Sequence, residues 1–277
     1  MIGVELPARP DPLPGPVVDT HCHLDVTAQH SGLDPADAVA AAAEVGVTRI
    51  VQVGCDVPGS RWAVEAAVRW PSVVAGVAIH PNDAARLGPD LLDALDVIEA
   101  LAQHPRVRAV GETGLDYYRT RDAAGHARQQ EAFAAHIGWA TAYDKTLVIH
   151  DRDAHGAILT VLDREGPPPR IVMHCFSGDA AFALACLERG AYLSFAGTVT
   201  FKNSESLRAA LAVTPPDRIL VETDAPYLTP VPYRGRPNAS YLIPHTARFM
   251  AETLGLDLMA FCRALNDNAE VAFGGRW

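Results

Sequence analysis

The sequence has little cysteine: five residues in 277, an odd number, with no C-x-x-C pair among them. That excludes a disulfide framework and a cysteine-based zinc site, and it fits a reducing compartment, read here as the cytoplasm. Positive charge is also short, with 23 Lys and Arg against 33 Asp and Glu and a formal net charge of −10. A wide, non-specific grip on nucleic acid normally shows as a basic face, so any such contact is expected to be local. No stretch approaches the ~18 consecutive apolar residues of a membrane span. The proline-rich opening MIGVELPARPDPLPGP lacks the apolar centre of a signal peptide. Residues 1–16 are therefore expected to form an extended tail ahead of one domain over 17–277. No membrane contact and no stable protein partner is inferred. Two phosphate fingerprints that often accompany open doubly wound sheets, G-x-G-x-x-G and the P-loop, are absent as well.

What is present is a repeated unit. Short apolar, β-branched runs occur at 17–21, 49–54, 73–80, 107–112, 146–150, 170–174, 191–197 and 218–224. Between them lie helix-like stretches such as DPADAVAAAAEVG, with Asp34 as N-cap, Pro35 at the first helical position and Gly46 as the stop. The spacing averages roughly 29 residues, close to the ~30 of a strand plus its crossover helix. Eight such units predict a TIM-type (β/α)8 barrel of a single domain.

The polar residues then fall into a pattern. His21 and His23 end the first run, His80 the third, Glu112 the fourth, His150 the fifth, His174 the sixth and Asp224 the eighth. In a barrel those carboxyl ends converge on the face that carries the chemistry. Alternation along a strand puts His21 and His23 on one side and turns Cys22 to the other, and the same argument turns Cys175 away from His174. Taken singly, each residue has an ordinary structural explanation: a hydrogen-bonded histidine, a solvated loop carboxylate, a turn cap. Together they make a metal inventory, because two imidazoles on one strand face are costly to bury without a shared partner. His80 is expected to touch substrate. Tyr117, Tyr118 and Phe176 read as pocket wall or core.

The motifs DTHCHLD, GVAIHPND, GETGLDYY, VIHDRDA, MHCFSG, ETDAPYL and YRGRPN occur in that order. In them the chain resembles the TatD family of metal-dependent deoxyribonucleases, amidohydrolase-like barrels, from residue 17 to about 273. The resemblance implies two divalent cations, with His21, His23 and Asp224 on one, His150 and His174 on the other, and Glu112 bridging. The loop motif departs from the family after Asn238, where Ala239 and Ser240 replace the usual Glu-Pro.

Physical chemistry agrees with that implication. Two cations on mixed nitrogen and oxygen ligands would polarise a phosphoryl oxygen and make a bound water acidic. Asp224 and Glu112 are the expected catalytic carboxylates, with Asp224 taking the proton of the attacking water. The loop after the last strand carries Arg234, Arg236 and Asn238 near the region where barrels commonly bind phosphate, and these are expected to hold substrate. The favoured reading is a phosphodiesterase, a DNase working from single-stranded or frayed ends. The alternatives are an amidohydrolase acting on amide or cyclic amide bonds of a small metabolite, and a barrel that binds without turnover. Imidazoles suit zinc, while carboxylates and exchangeable waters suit Mg²⁺ or Mn²⁺, so the metal is left open.

Overall fold

The computed structural model describes residues 6–277. Eight strands lie in one parallel sheet in sequence order: β1 Val17–Cys22, β2 Val47–Gly54, β3 Val73–Val77, β4 Val107–Asp116, β5 Thr146–Arg152, β6 Ile171–Met173, β7 Tyr192–Phe195 and β8 Ile219–Val221. Among the described residues, eleven α-helices cover them. The first six are α1 Leu24–Ser31, α2 Pro35–Glu44, α3 Val57–Arg69, α4 Pro81–Leu87, α5 Leu91–Ala102 and α6 Ala123–Ala142. They are followed by α7 His155–Glu165, α8 Ala180–Glu188, α9 Glu205–Val213, α10 Ile243–Leu254 and α11 Leu258–Ala272.

The strands read as near-continuous apolar runs because both faces are buried. Val18, Val51, Val53, Val74, Val148 and Leu220 fill the barrel together with Ala269, Ala272 and Phe273 from the end of α11, which plugs the amino-terminal mouth. Residues of the opposite parity, such as Val17, Ile50, Val73 and Leu147, pack outward against the helices. The Asp34 cap forms as expected, its carboxylate accepting from the Ala36 amide.

The barrel is nearly closed. No ladder joins β8 to β1; instead the Asp224 amide donates to the His21 carbonyl (2.9 Å) and the His23 amide to the Ala225 carbonyl (2.9 Å). The buried Asp19 carboxylate completes the seam, accepting from the Thr223 amide (2.9 Å) and hydroxyl (2.6 Å). These bonds bring the two ends of the sequence pattern, His21 and Asp224, to one place.

Of the expected tail, residues 1–5 lie outside the described residues. Residues 6–16 have no helix or strand, and they are docked on the barrel. Leu13 is buried and bonds Val45, and the Tyr241 hydroxyl donates to the Pro7 carbonyl. Among the described residues no helix is long and apolar enough to cross a membrane.

Candidate metal centre

Glu112 lies at the middle of the carboxyl-terminal face, almost fully buried. His150 Nδ1 is 2.6 Å from its Oε1, His174 Nε2 3.4 Å and His80 Nε2 3.5 Å, while His21 Nε2 is 3.4 Å from Oε2. Asp224 faces the same space, 3.5 Å from His23 Nε2, 3.9 Å from His174 Nε2 and 4.0 Å from His21 Nε2. Thus His21, His23, His80, Glu112, His150, His174 and Asp224 meet, although up to 203 positions separate them in the chain.

His23, His174 and His150 are aimed by what lies at the other ring nitrogen. His23 Nδ1 donates to the Val53 carbonyl (2.8 Å), which leaves the Nε2 lone pair facing Asp224. His174 Nδ1 lies 2.8 Å from Glu222 Oε1, off the line of a good hydrogen bond but close enough to hold the ring. Asp116 Oδ2 sits 3.5 Å from His150 Nε2 and is itself fixed by the Asn82 amide at 3.0 Å. His80 differs: its Nδ1 accepts from the Asn82 backbone amide (3.1 Å), so its proton is on Nε2, pointing at Glu112. That makes His80 a donor where the others can be ligands.

The electrostatics follow from this crowding. Burial penalises the Glu112 charge, but His174, His80 and the hydrogen bond from His150 outweigh it and hold the carboxyl well below its usual range. Asp224 is held low in the same way, against burial, by His23, His174 and His21. Burial disfavours the charged form of His150, yet Asp116 and Glu112 raise it to about 9. His21 goes the other way, lowered by burial and by the cationic His174 stacked on it at 3.5 Å between ring centres.

Do these residues fit divalent cations? His21 is fully buried, and neither of its ring nitrogens has a hydrogen-bond partner. A buried polar atom without a partner is costly, and a metal removes that cost. His21, His23 and Glu112 offer ligand atoms within 4.8 Å of one another, as do His21, His174 and Asp224, and His80, Glu112 and His150. His174 is thus nearer His21 than His150, whose ring centre is 6.4 Å away, whereas the resemblance pairs it with His150.

The family model for TatD related DNases matches residues 18–274. The chain belongs to this family. A Mycobacterium tuberculosis protein described as an uncharacterized metal-dependent hydrolase TatD is 42% identical over 265 residues, 94% of this chain and 99% of that one. A Salmonella typhimurium protein described as the 3'-5' ssDNA/RNA exonuclease TatD is 33% identical over 257 residues, 90% of this chain and 96% of that one. Among solved structures, the Escherichia coli TatD homologue YjjV superposes with a TM-score of 0.85 at 26% identity, covering 94% of this chain and 98% of that chain. The chain is accordingly an enzyme of the TatD type, a metal-dependent hydrolase.

Above these residues opens a cavity of about 1300 Å³. The basic side chains in this TatD-type mouth are Arg86, Arg119 and Arg152; Arg234, Arg236 and Asn238 do not line it. Arg234 packs over the Phe201 ring, 4.4 Å from its centre. Asn238 is fully buried and works as a clamp, its amide donating to the Thr223 (2.9 Å) and Tyr227 (2.6 Å) carbonyls. Strand alternation turns both Cys22 and Cys175 away from the site, and it holds for one of them. Cys22 does point outward into the core, but Cys175 lines the cavity, because β6 ends at Met173 and Cys175 turns with φ +42°.

Sequence reasoning does not single out Glu222, Asp116 or Cys55. Glu222 has a signal, since it lies two residues before Asp224 in ETD. Cys55 has none; its thiol, kept protonated by burial at a pKa of about 11, sits 3.7 Å from Glu112 Oε2.

Proposed function

We propose that the chain is a phosphodiesterase that removes nucleotides from single-stranded or frayed nucleic-acid ends, with two divalent cations shared around Glu112. The observation that carries the reading is the convergence of four imidazoles on Glu112, beside an ionised Asp224, at the floor of an open cavity. His21, His23, His174 and Asp224 would hold one cation, and His150 with Glu112 the other. Bound there, the cations supply charge for the phosphoryl oxygens and acidify water at neutral pH.

The chain's own groups do the rest. Asp224 stays ionised and accepts the proton of the attacking water. The Nε2–H of His80 donates a hydrogen bond to a phosphate oxygen or to the leaving oxygen. Asp116, Glu222 and the Val53 carbonyl keep the imidazoles turned inward. Glu112 stands where many amidohydrolase-like barrels carry a carboxylated lysine, which favours phosphodiester over amide hydrolysis.

Two measurements test this. End-labelled linear single-stranded DNA should be digested from a terminus and a closed circle spared, and activity should vanish on chelation and return with divalent metal. Asp224→Asn should retain bound metal while kcat drops by at least ~10². A kcat within a few-fold of the parent with a raised KM would make Asp224 a binding residue, and turnover of an amide panel but not of DNA would overturn the phosphodiesterase reading.

A further inference from the structure

Three residues beyond Asp224, the chain exposes a tyrosine in the cavity wall. Tyr227 is 53% exposed and lines the mouth, while Tyr117 is stacked at 3.8 Å on His126 and Tyr118, 48% exposed, carries Arg152 on its ring and does not line the cavity. Among the described residues, the Tyr227 ring has no aromatic or cationic neighbour and its hydroxyl no hydrogen bond. Its backbone, by contrast, is fixed at both ends. The Tyr227 amide donates to the Asp224 carbonyl (2.9 Å), and its own carbonyl accepts from the buried Asn238 side chain (2.6 Å). A large apolar ring held rigidly in the open at a site mouth has no role in the core.

The same cavity holds unpaired positive charge. Arg119 and Arg152 line it, and among the described residues neither guanidinium makes an ion pair or a hydrogen bond. The Arg152 guanidinium carbon sits over the Tyr118 ring, 4.3 Å from its centre, a contact that holds the group in place while its N–H donors stay without a partner among the described residues. An exposed π face and two unpaired cations around one cavity, Arg152 held by the Tyr118 ring, match the two repeating parts of a nucleic-acid strand, base and phosphate.

We propose that Tyr227 is a base-stacking platform of this enzyme and that Arg119 and Arg152 take strand phosphates beside it. The inference rests on the phosphodiesterase reading above. It also explains the buried Asn238 clamp, which, by anchoring the loop, fixes the distance from the stacked base to Asp224. Every base has a π face, so the platform tolerates sequence but requires a single strand whose base is free to unstack.

The test uses the metal-loaded full-length protein and two nuclease-resistant phosphorothioate oligonucleotides, one with 2-aminopurine at the 3' end and one at the 5' end. Stacking on tyrosine dims 2-aminopurine. One of the two probes should dim on binding to the parent and to Tyr227→Phe but stay bright with Tyr227→Ala. Tyr227→Ala should bind a base-bearing end about tenfold more weakly, erasing the parent's preference over an abasic end. Arg152→Gln should weaken base-bearing and abasic strands alike. Because the Tyr227 ring is exposed, thermal melting of Tyr227→Ala should match the parent. Equal dimming by parent and Tyr227→Ala, or binding of both probes without dimming, overturns the platform while the phosphodiesterase reading stands. Failure of the parent to bind either oligonucleotide overturns both.

Discussion

His136, beside the metal centre, is a buried imidazole whose two ring nitrogens are both paired, unlike those of His21. It lies fully buried on α6, with Nε2 accepting from the Ile79 amide (3.3 Å) and Nδ1 donating to the Thr113 hydroxyl (2.8 Å). It thereby ties α6 to the segment after β3 that carries His80, and to β4 beside Glu112. Burial lowers its pKa to about 3, against about 6.5 in the unfolded chain. Below about pH 6.5 the unfolded chain therefore binds a proton that the folded one refuses. Stability contributed by the neutral ring is complete above that pH and falls by about 1.4 kcal/mol per pH unit down to about pH 3. Urea denaturation between pH 7 and pH 4.5 should show a slope shallower by about one proton in His136→Gln; identical slopes would mean the ring titrates normally. At this scale the sequence exposes the proposed ligands and hides their supports. Two imidazoles spaced by two residues announce themselves, whereas Asp116 and Glu222 matter only through contacts made by folding. Arg234, Arg236 and Asn238 look like substrate contacts because of their place in a loop, and a loop's position in sequence does not say which way it folds.

Elements differ from their sequence pattern mainly at their ends. The runs at 73–80, 170–174 and 218–224 extend past the observed β3, β6 and β8, which stop at Val77, Met173 and Val221. Apolar periodicity records burial, but a strand ends where its neighbour's ladder ends, and β6 meets β7 through only two residue pairs, Val172 with Tyr192 and Met173 with Leu193. Freed from the ladder, the next residues can turn: His80 becomes the cap of α4, and Asp224 adopts φ +54°. β4 does the reverse. Gly114 in GETG suggests a turn, yet the strand continues to Asp116, because β5 runs beside it and pairs Gly114 with His150 and Asp116 with Arg152. Gly114 is needed for that pairing, with φ +130° and a Cβ position 2.1 Å from the His150 carbonyl oxygen. Gly114→Ala should push β5 away at the level of His150. The expected loss is about 1–3 kcal/mol of stability, with weaker metal binding, read by urea titration and elemental analysis. Parent-like values in both would show that the two strands can separate there without disturbing the centre.

For the whole molecule, eight alternating units make the barrel legible, and the closure of its seam is not. Asp19 and Thr223, which complete the seam, are 204 residues apart and carry no pattern that links them. Charge also belongs to this scale. The net −10 is not relieved at the mouth, where Asp83, Glu112, Asp116, Asp122, Asp151 and Asp224 face the cavity along with Arg86, Arg119 and Arg152. Arg86 is already paired with Asp83. A polyanion therefore meets a repulsive surface except at the metals and at Arg119 and Arg152, and the footprint should be short. Two to four phosphates on a single strand correspond to a salt slope of roughly −1.5 to −3, from about −0.7 per phosphate. Binding of a nuclease-resistant oligonucleotide across a salt series at fixed metal measures it, and chelation should abolish binding because the carboxylates are then uncompensated. A slope near −8 would require an extended basic track and internal strand contacts, and engagement through a short end would have to be abandoned.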